Sequence, residues 1–293
     1  MSLRQWPTLV VGCLIYGLFF VSTWFWQGLP LPLLLIVGGV SVAWYGSLEH
    51  EVIHGHPTRW PWVNRALVLP PLALWLPYGV YAQTHRAHHR DEVLSDPFDD
   101  PESYYVAQGR WDTLQPWQRW VLGLCNTLLG RLTLGTFVNI WIFWFYEARA
   151  MMNGDRQKLG IWVRHGLLCL ILLTYLLWVC AMPLWIYVLC FALPGTALTM
   201  LRAFLEHQYA ENPKHRTVIV EAGWFWRLLF LNNCYHLVHH QNPAMPWYEL
   251  PDEYARDRAG YQALNGGYVV PGYASIAQTY GMKAKEPVRH PAR

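Results

Sequence analysis

Between Arg4 and Arg59 the chain carries only two charged side chains, Glu49 and Glu51. So long a stretch with so little charge cannot form the surface of a soluble domain. It divides at "QGLPLP" into apolar runs over about 8–26 and 31–48. Each is near the ~20 residues a helix needs to cross a bilayer. A second such stretch, "LGIWVRHGLLCLILLTYLLWVCAMPLWIYVLCFALPGTALTMLRAF", breaks around Ala181–Pro183 into runs near 162–180 and 184–202. Composition agrees: 14% of residues are charged, against about 25% in soluble domains.

Neither break contains Lys or Arg, whereas both residues occur after 202 and within 59–164, and Arg lies near the N-terminus. By the positive-inside rule, both termini and the large middle segment face the cytoplasm. Arg164, near the start of the third run, can snorkel to the interface. The expected fold is an all-α integral membrane protein of the inner or plasma membrane. Its four transmembrane helices form two hairpins beneath a cytoplasmic helical cap, all within residues 1–260. The N-terminal run is too long for a signal peptide and lacks a small-residue cleavage site, so it reads as a retained first span.

Two further apolar runs do not read as spans. "ALVLPPLALWLPYGVYA" (66–82) holds a Pro-Pro pair and a third Pro, poor material for a continuous helix. The run 132–146 is short for a crossing. Both are expected to be interfacial or re-entrant. The Gly- and Tyr-rich tail, 261–293, is expected to be loosely ordered, with no readable role. The six cysteines show no CxxC spacing and read as reduced packing residues. A net charge of +3 and the absence of a Lys/Arg run exclude a nucleic-acid patch.

Most of the thirteen histidines fall at the ends of these apolar runs. "HEVIH" places His50 and His54 four apart, on one face of a helix leaving the second span. "HRAHH" sets His85, His88 and His89 at i, i+3 and i+4, and "HLVHH" repeats the pattern with His236, His239 and His240. His207 follows the fourth span in "FLEHQ". Neutral imidazole is the commonest nitrogen donor to transition metals. Nine such ligands exceed the needs of one ion, so a two-metal centre is the economical reading. Ligating histidines commonly donate their second N–H to a carboxylate or carbonyl. Glu49, Glu51, Asp91, Asp96 and Glu206 are candidate partners of that kind, and His56 is a candidate supporting residue. Asn232 and Asn233 either orient a ligand or cap a helix. The turn-rich "LSDPFDDPESYY" (94–105) either pairs with Arg86, Arg90 and Arg110 or forms a rim over the centre. His165, His215 and His290 have no partner in sequence and read as structural.

The set "HEVIH", "HRAHH" and "NNCYHLVHH" resembles the three histidine boxes of the membrane fatty acid desaturase superfamily, which includes acyl hydroxylases and carotenoid ketolases. The paired-span arrangement resembles it too, over roughly residues 8–250. The resemblance implies two non-haem irons held by the boxes, with His207 as the further ligand preceding the third box. It implies dioxygen as co-substrate and a long apolar substrate from the bilayer, a fatty acyl chain to be desaturated being the first expectation. The three residues between the histidines of the first box resemble acyl-lipid desaturases and carotenoid ketolases more than acyl-CoA desaturases.

The boxes do not separate a desaturase from an acyl hydroxylase or a carotenoid ketolase or hydroxylase. A membrane metal-binding or transport protein is the reading from another class, but it predicts ligands near the midplane of the spans, whereas the spans contain only His165, near an end. The chain lacks a His-Pro-Gly-Gly haem segment, CxxC spacing and GxGxxG. Electrons must therefore come from a separate donor of the ferredoxin or cytochrome type.

Overall fold

The computed structural model describes residues 5–293; the side chain of Asp91, one of the candidate partners above, lies outside the described residues. The chain is mostly helical. Among the described residues, four helices are long and apolar enough to cross a membrane: Trp6–Trp24, Leu31–Ile53, Arg156–Val179 and Leu184–Glu206. The last three extend past the limits expected from charge alone. Polar residues lengthen a helix where its backbone hydrogen bonds persist, so Leu31–Ile53 carries on through Glu49, His50 and Glu51. The run 132–146 belongs to a further helix, Leu134–Met152.

The chain divides into two compact units. The first comprises residues 1–82 and 138–199. The first two span helices pack on one another, and the second also packs against the helix that follows Leu184. Their contact is close because the residues there are small. A Cβ on Gly38 would lie 2.4 Å from the Cys190 carbonyl oxygen, and one on Gly195 would lie 2.5 Å from Val42 Cβ. Phe19, Tyr187 and Phe191 fill the space beside this contact. Phe19 meets Tyr187 edge-on at 6.2 Å, and Tyr187 stacks on Phe191 at 5.2 Å. The opposite faces of the spans expose Leu14, Phe20, Leu35, Ile36, Leu170, Ile171 and Leu189. An apolar exterior of this kind suits lipid rather than water.

The Pro-rich run 66–82 has no helix between Ala66, which ends the short helix Pro61–Ala66, and Tyr78. Its carbonyls are satisfied one by one by side chains of the same unit. Tyr16 donates to Leu67 O at 2.5 Å, Tyr45 to Val68 O at 3.0 Å and Tyr187 to Leu72 O at 2.6 Å. His165 lies 2.8 Å from Leu74 O, and Trp144 donates to Trp75 O at 2.9 Å. Irregular backbone beside membrane spans is tolerated where protein supplies its hydrogen bonds. This also accounts for His165, which is buried and structural.

The second unit comprises residues 83–137 and 200–293. Its core includes Phe204, Leu205, Val218, Ile219, Val220, Phe230, Leu237 and Val238. Ile219–Val220 pairs in parallel with Val269–Val270. Backbone bonds from Leu237 N–H to Val218 O and from Val220 N–H to Cys234 O tie the third histidine box to that strand. The tail is not loosely ordered, contrary to its composition. It contains the helices Arg258–Leu264 and Tyr273–Tyr280. Beyond them, Val106 N–H bonds to Val288 O, His290 N–H to Val106 O and Gln108 N–H to Arg293 O. Partners distant in sequence, rather than intrinsic propensity, order this segment.

Candidate metal centre

His50 lies in the last turn of Leu31–Ile53 and His54 forms its C-cap, with ring centroids 4.8 Å apart. This pair belongs to the first unit. The other seven predicted histidines belong to the second. His85 and His88 end the helix Tyr78–His88, and His89 N–H still bonds to His85 O. His236, His239 and His240 lie on the helix His236–Gln241.

Each HxxHH box divides. His88, His207, His236 and His240 gather in one group, all buried, with one ring nitrogen from each lying within 4.8 Å of the others. His85, His89 and His239 converge separately: His85 Nε2 lies 3.0 Å from His89 Nε2, which lies 3.2 Å from His239 Nε2. The expectation that each box presents one face is thus corrected. Helix geometry gives the reason: successive residues turn by about 100°, so i+3 and i+4 lean to opposite sides of i. In both boxes the i and i+4 residues stay together and i+3 departs.

The four-histidine group has partners on its outer nitrogens. His88 Nδ1 lies 2.8 Å from Asp100 Oδ1, His236 Nδ1 3.1 Å from Asn233 Oδ1, and His207 Nδ1 3.3 Å from Thr217 Oγ1. With those Nδ1–H groups donated outward, the Nε2 atoms of the three rings face inward, each with a lone pair when its ring is neutral. His88 Nε2 and His236 Nε2 lie 2.8 and 3.1 Å from His207 Nε2. Lone pairs so close repel unless a cation lies among them. An ion with bonds of about 2.1 Å sets neighbouring nitrogens about 3.0 Å apart at octahedral angles and about 3.4 Å apart at tetrahedral ones. The donor set and its spacing therefore fit a transition metal.

The charges agree. Burial disfavours the imidazolium of His88, but Glu102 and Asp100 outweigh it and hold that group up to about 9. Burial alone would raise Glu102, yet His85 and His88 hold it down to about 2. His207 and His236 are pushed well below the ordinary histidine value, by burial first and then by neighbouring histidines. The neutral imidazoles of His207 and His236, with the ionised Glu102 and a His88 that readily takes a proton, make a site that attracts positive charge. A cavity of about 80 Å³ bordered by His88, Asp100, Glu102, Tyr104, Glu206 and His207 adjoins the group.

The structure sorts the candidate partners. Asn233 fills the orienting role and bridges to Glu206 at 2.9 Å. Glu206 Oε1 is 3.8 Å from His236 Nδ1 and pairs with Arg202 at 2.8 Å. Asn232, in left-handed backbone at φ 55°, instead donates to Trp247 O. Neither asparagine caps the third-box helix, whose N-cap is Tyr235. Asp96 does not reach a histidine. It accepts the N–H groups of Phe98 and Asp99 and pairs with Arg293, because the Asp-Pro turn folds it onto its own backbone. Glu49, Glu51 and His56 are buried in the first unit.

The partners the sequence reading missed are Asp100, Glu102 and Thr217. The first two lie in "LSDPFDDPESYY" and turn toward the second box: Asp100 Oδ1 is 2.8 Å from His88 Nδ1 and Glu102 Oε1 is 3.2 Å from His85 Nδ1. A Pro-punctuated acidic loop directly after a histidine box was the available signal. Thr217 offered none.

Apolar spans and a buried polyhistidine cluster define a helical membrane protein with the makings of a metal centre. The family model for fatty acid desaturase matches residues 24–271. The chain belongs to the fatty acid desaturase family. No curated protein matches it significantly.

Proposed function

We propose that this protein is a membrane-bound, dioxygen-dependent di-iron oxidoreductase that introduces a double bond into a fatty acyl chain. The observation carrying this reading is the four-histidine group, with one nitrogen from each ring within 4.8 Å of the others and those of His88 and His236 2.8 and 3.1 Å from that of His207, in a chain of the fatty acid desaturase family. His88, His207, His236 and His240 hold one iron. The other falls to His85, His89 and His239 with the first-box pair His50 and His54, whose inclusion rests on the resemblance of "HEVIH" to a first histidine box.

When bound, a reduced iron pair with dioxygen supplies the power to remove hydrogen from an unactivated C–H bond. In balance, a CH2–CH2 unit, O2, two electrons and two protons give CH=CH and two waters, with a separate ferredoxin- or cytochrome-type carrier supplying the electrons. The chain's own part is to hold neutral imidazoles in fixed directions, through Asp100, Asn233 and Thr217, and to bury them from bulk water. The spans form two hairpins, Trp6–Trp24 with Leu31–Ile53 and Arg156–Val179 with Leu184–Glu206. Their Lys/Arg-free tips lie opposite the cytoplasm, and the histidines lie on the cytoplasmic side.

The test is mass spectrometry of lipids from cells with and without the gene, beside iron analysis of the purified protein. New double bonds together with about two irons per chain are expected. Hydroxylated chains or altered carotenoids would reassign the reaction, and unchanged lipids with zinc in place of iron would reject it.

A further inference from the structure

His207 differs from the other histidines of its group in how its backbone is held. His88, His236 and His240 sit on helices whose ladder fixes their direction. His207 lies one residue past the end of Leu184–Glu206, in extended chain. One side of that chain is tied by an antiparallel bridge to Thr217, with Gln208 N–H to Arg216 O at 2.9 Å and Val218 N–H to Glu206 O at 3.1 Å. The other side faces the C-terminal segment.

There Lys285 is almost wholly buried, its side chain 4% exposed. Its ammonium donates to His207 O at 2.5 Å and Tyr104 Oη at 3.0 Å, and pairs with Glu286 at 2.9 Å. Tyr104 and Tyr105 both donate their hydroxyls to the Glu286 carboxylate. Tyr105 Oη in turn accepts the Tyr209 N–H at 2.7 Å. Tyr104 Oη also lies 3.3 Å from His207 O, but a phenol has one proton, and here Glu286 takes it. Lys285 is then the donor left for the His207 carbonyl. Its own position is fixed by its N–H to Asn126 O at 2.9 Å.

We propose that Lys285 is a positioning residue: from the C-terminal segment it clamps the His207 carbonyl, which aims the His207 ring at His88 and His236 and so sets metal affinity at the four-histidine group. The inference rests on the metal-binding reading above and extends it to a segment outside the histidine boxes. A buried ammonium is costly unless fully hydrogen-bonded. This one spends its three donors on the His207 carbonyl, the Tyr104 hydroxyl and the Glu286 carboxylate.

The experiment is Co²⁺ titration of the metal-free full chain in detergent, following the visible bands of the bound ion, with helix content read by circular dichroism. The wild type is expected to take two ions. Lys285→Met should weaken one of the two sites about tenfold or more, the usual scale for loss of a group supporting a ligand, while the other site and the helix content stay unchanged. If K285M does not fold, K285Q, whose shorter side chain falls short of the carbonyl, should show the same one-site loss. Two wild-type affinities in K285M, or equal weakening of both sites, overturns the inference alone. A wild-type chain that binds no metal overturns the functional reading, and this inference with it.

Discussion

His88 and His207 face one another Nε2 to Nε2 at 2.8 Å, although 119 residues separate them in the chain. His88 is turned by Asp100 behind it and His207 by Thr217. Groups outside the cluster thus turn the two Nε2 atoms toward one another, and both offer a lone pair once His88 has given up its second proton. The direction of both rings is therefore set by residues that do not belong to the four-histidine group.

The first prediction concerns pH. In the metal-free protein His88 is held up to about 9, so at neutral pH it carries a proton that a metal must displace. Affinity at the four-histidine group should rise by up to about tenfold per pH unit below 9 and level off above it. Stability of the metal-free protein runs the other way. A raised pKa stabilises fully below the unfolded value of about 6.5, and that contribution is lost as pH climbs through 9. Calorimetry of Co²⁺ binding at pH 7.5, in two buffers of different ionisation enthalpy, should show about one proton released per ion at this group. No release would place His88 outside the ligand set.

The division of the boxes makes a second prediction. His240→Ala should remove the iron of one centre and His239→Ala that of the other, though the two are neighbours on one helix. Each variant should fall from two irons per chain toward one and lose turnover. Elemental analysis decides the matter: a variant that retains both irons strikes that histidine from the ligands.

What the sequence disclosed, and what it did not, follows from the range over which each feature is set. The spans and the histidine boxes are local patterns, an uninterrupted apolar run and a repeated spacing, and both were legible. The helix Leu31–Ile53 outran its apolar stretch because backbone bonding does not stop where hydropathy does. The division of HxxHH between two groups was hidden because spacing alone puts i+3 and i+4 within one broad face. Thr217, Lys285 and Glu286 gain their roles only through contacts across 10, 78 and 181–182 residues. For Lys285 and Glu286 no local window of sequence holds both partners, and Thr217, though near His207, carries no motif that marks it.

Asp100 carries the third prediction. Its carboxylate meets His88 Nδ1 at 2.8 Å and also accepts the N–H groups of Ser95 and Glu102, at 2.8 and 2.9 Å. Asp100→Asn keeps the shape but removes the charge and replaces one acceptor by a donor. Metal affinity at the four-histidine group should fall about 10–100-fold. The proton released on binding near pH 7.5 should shrink as His88 moves back toward its ordinary value. Titration with Co²⁺ reads both effects, and unchanged affinity would reduce Asp100 to a loop-stabilising residue.

The fourth prediction tests the packing of the spans rather than the site. Gly38 and Gly195 stand where backbones approach closely, as small residues do between membrane helices. Added Cβ atoms would come within 2.4 Å of the Cys190 carbonyl and 2.5 Å of Val42 Cβ, whereas one on Gly17 would meet nothing within 4 Å. The Cys190 carbonyl is backbone and cannot rotate aside, so the helices must part and the stacked Tyr187 and Phe191 must shift with them. Gly38→Ala and Gly195→Ala should each cost about 1–3 kcal/mol, the scale of overpacking a closed core. Gly17→Ala should be neutral or slightly stabilising through helix propensity. Thermal unfolding in detergent ranks the three, and a Gly38→Ala protein as stable as Gly17→Ala would mean that the second span does not pack through its glycine face.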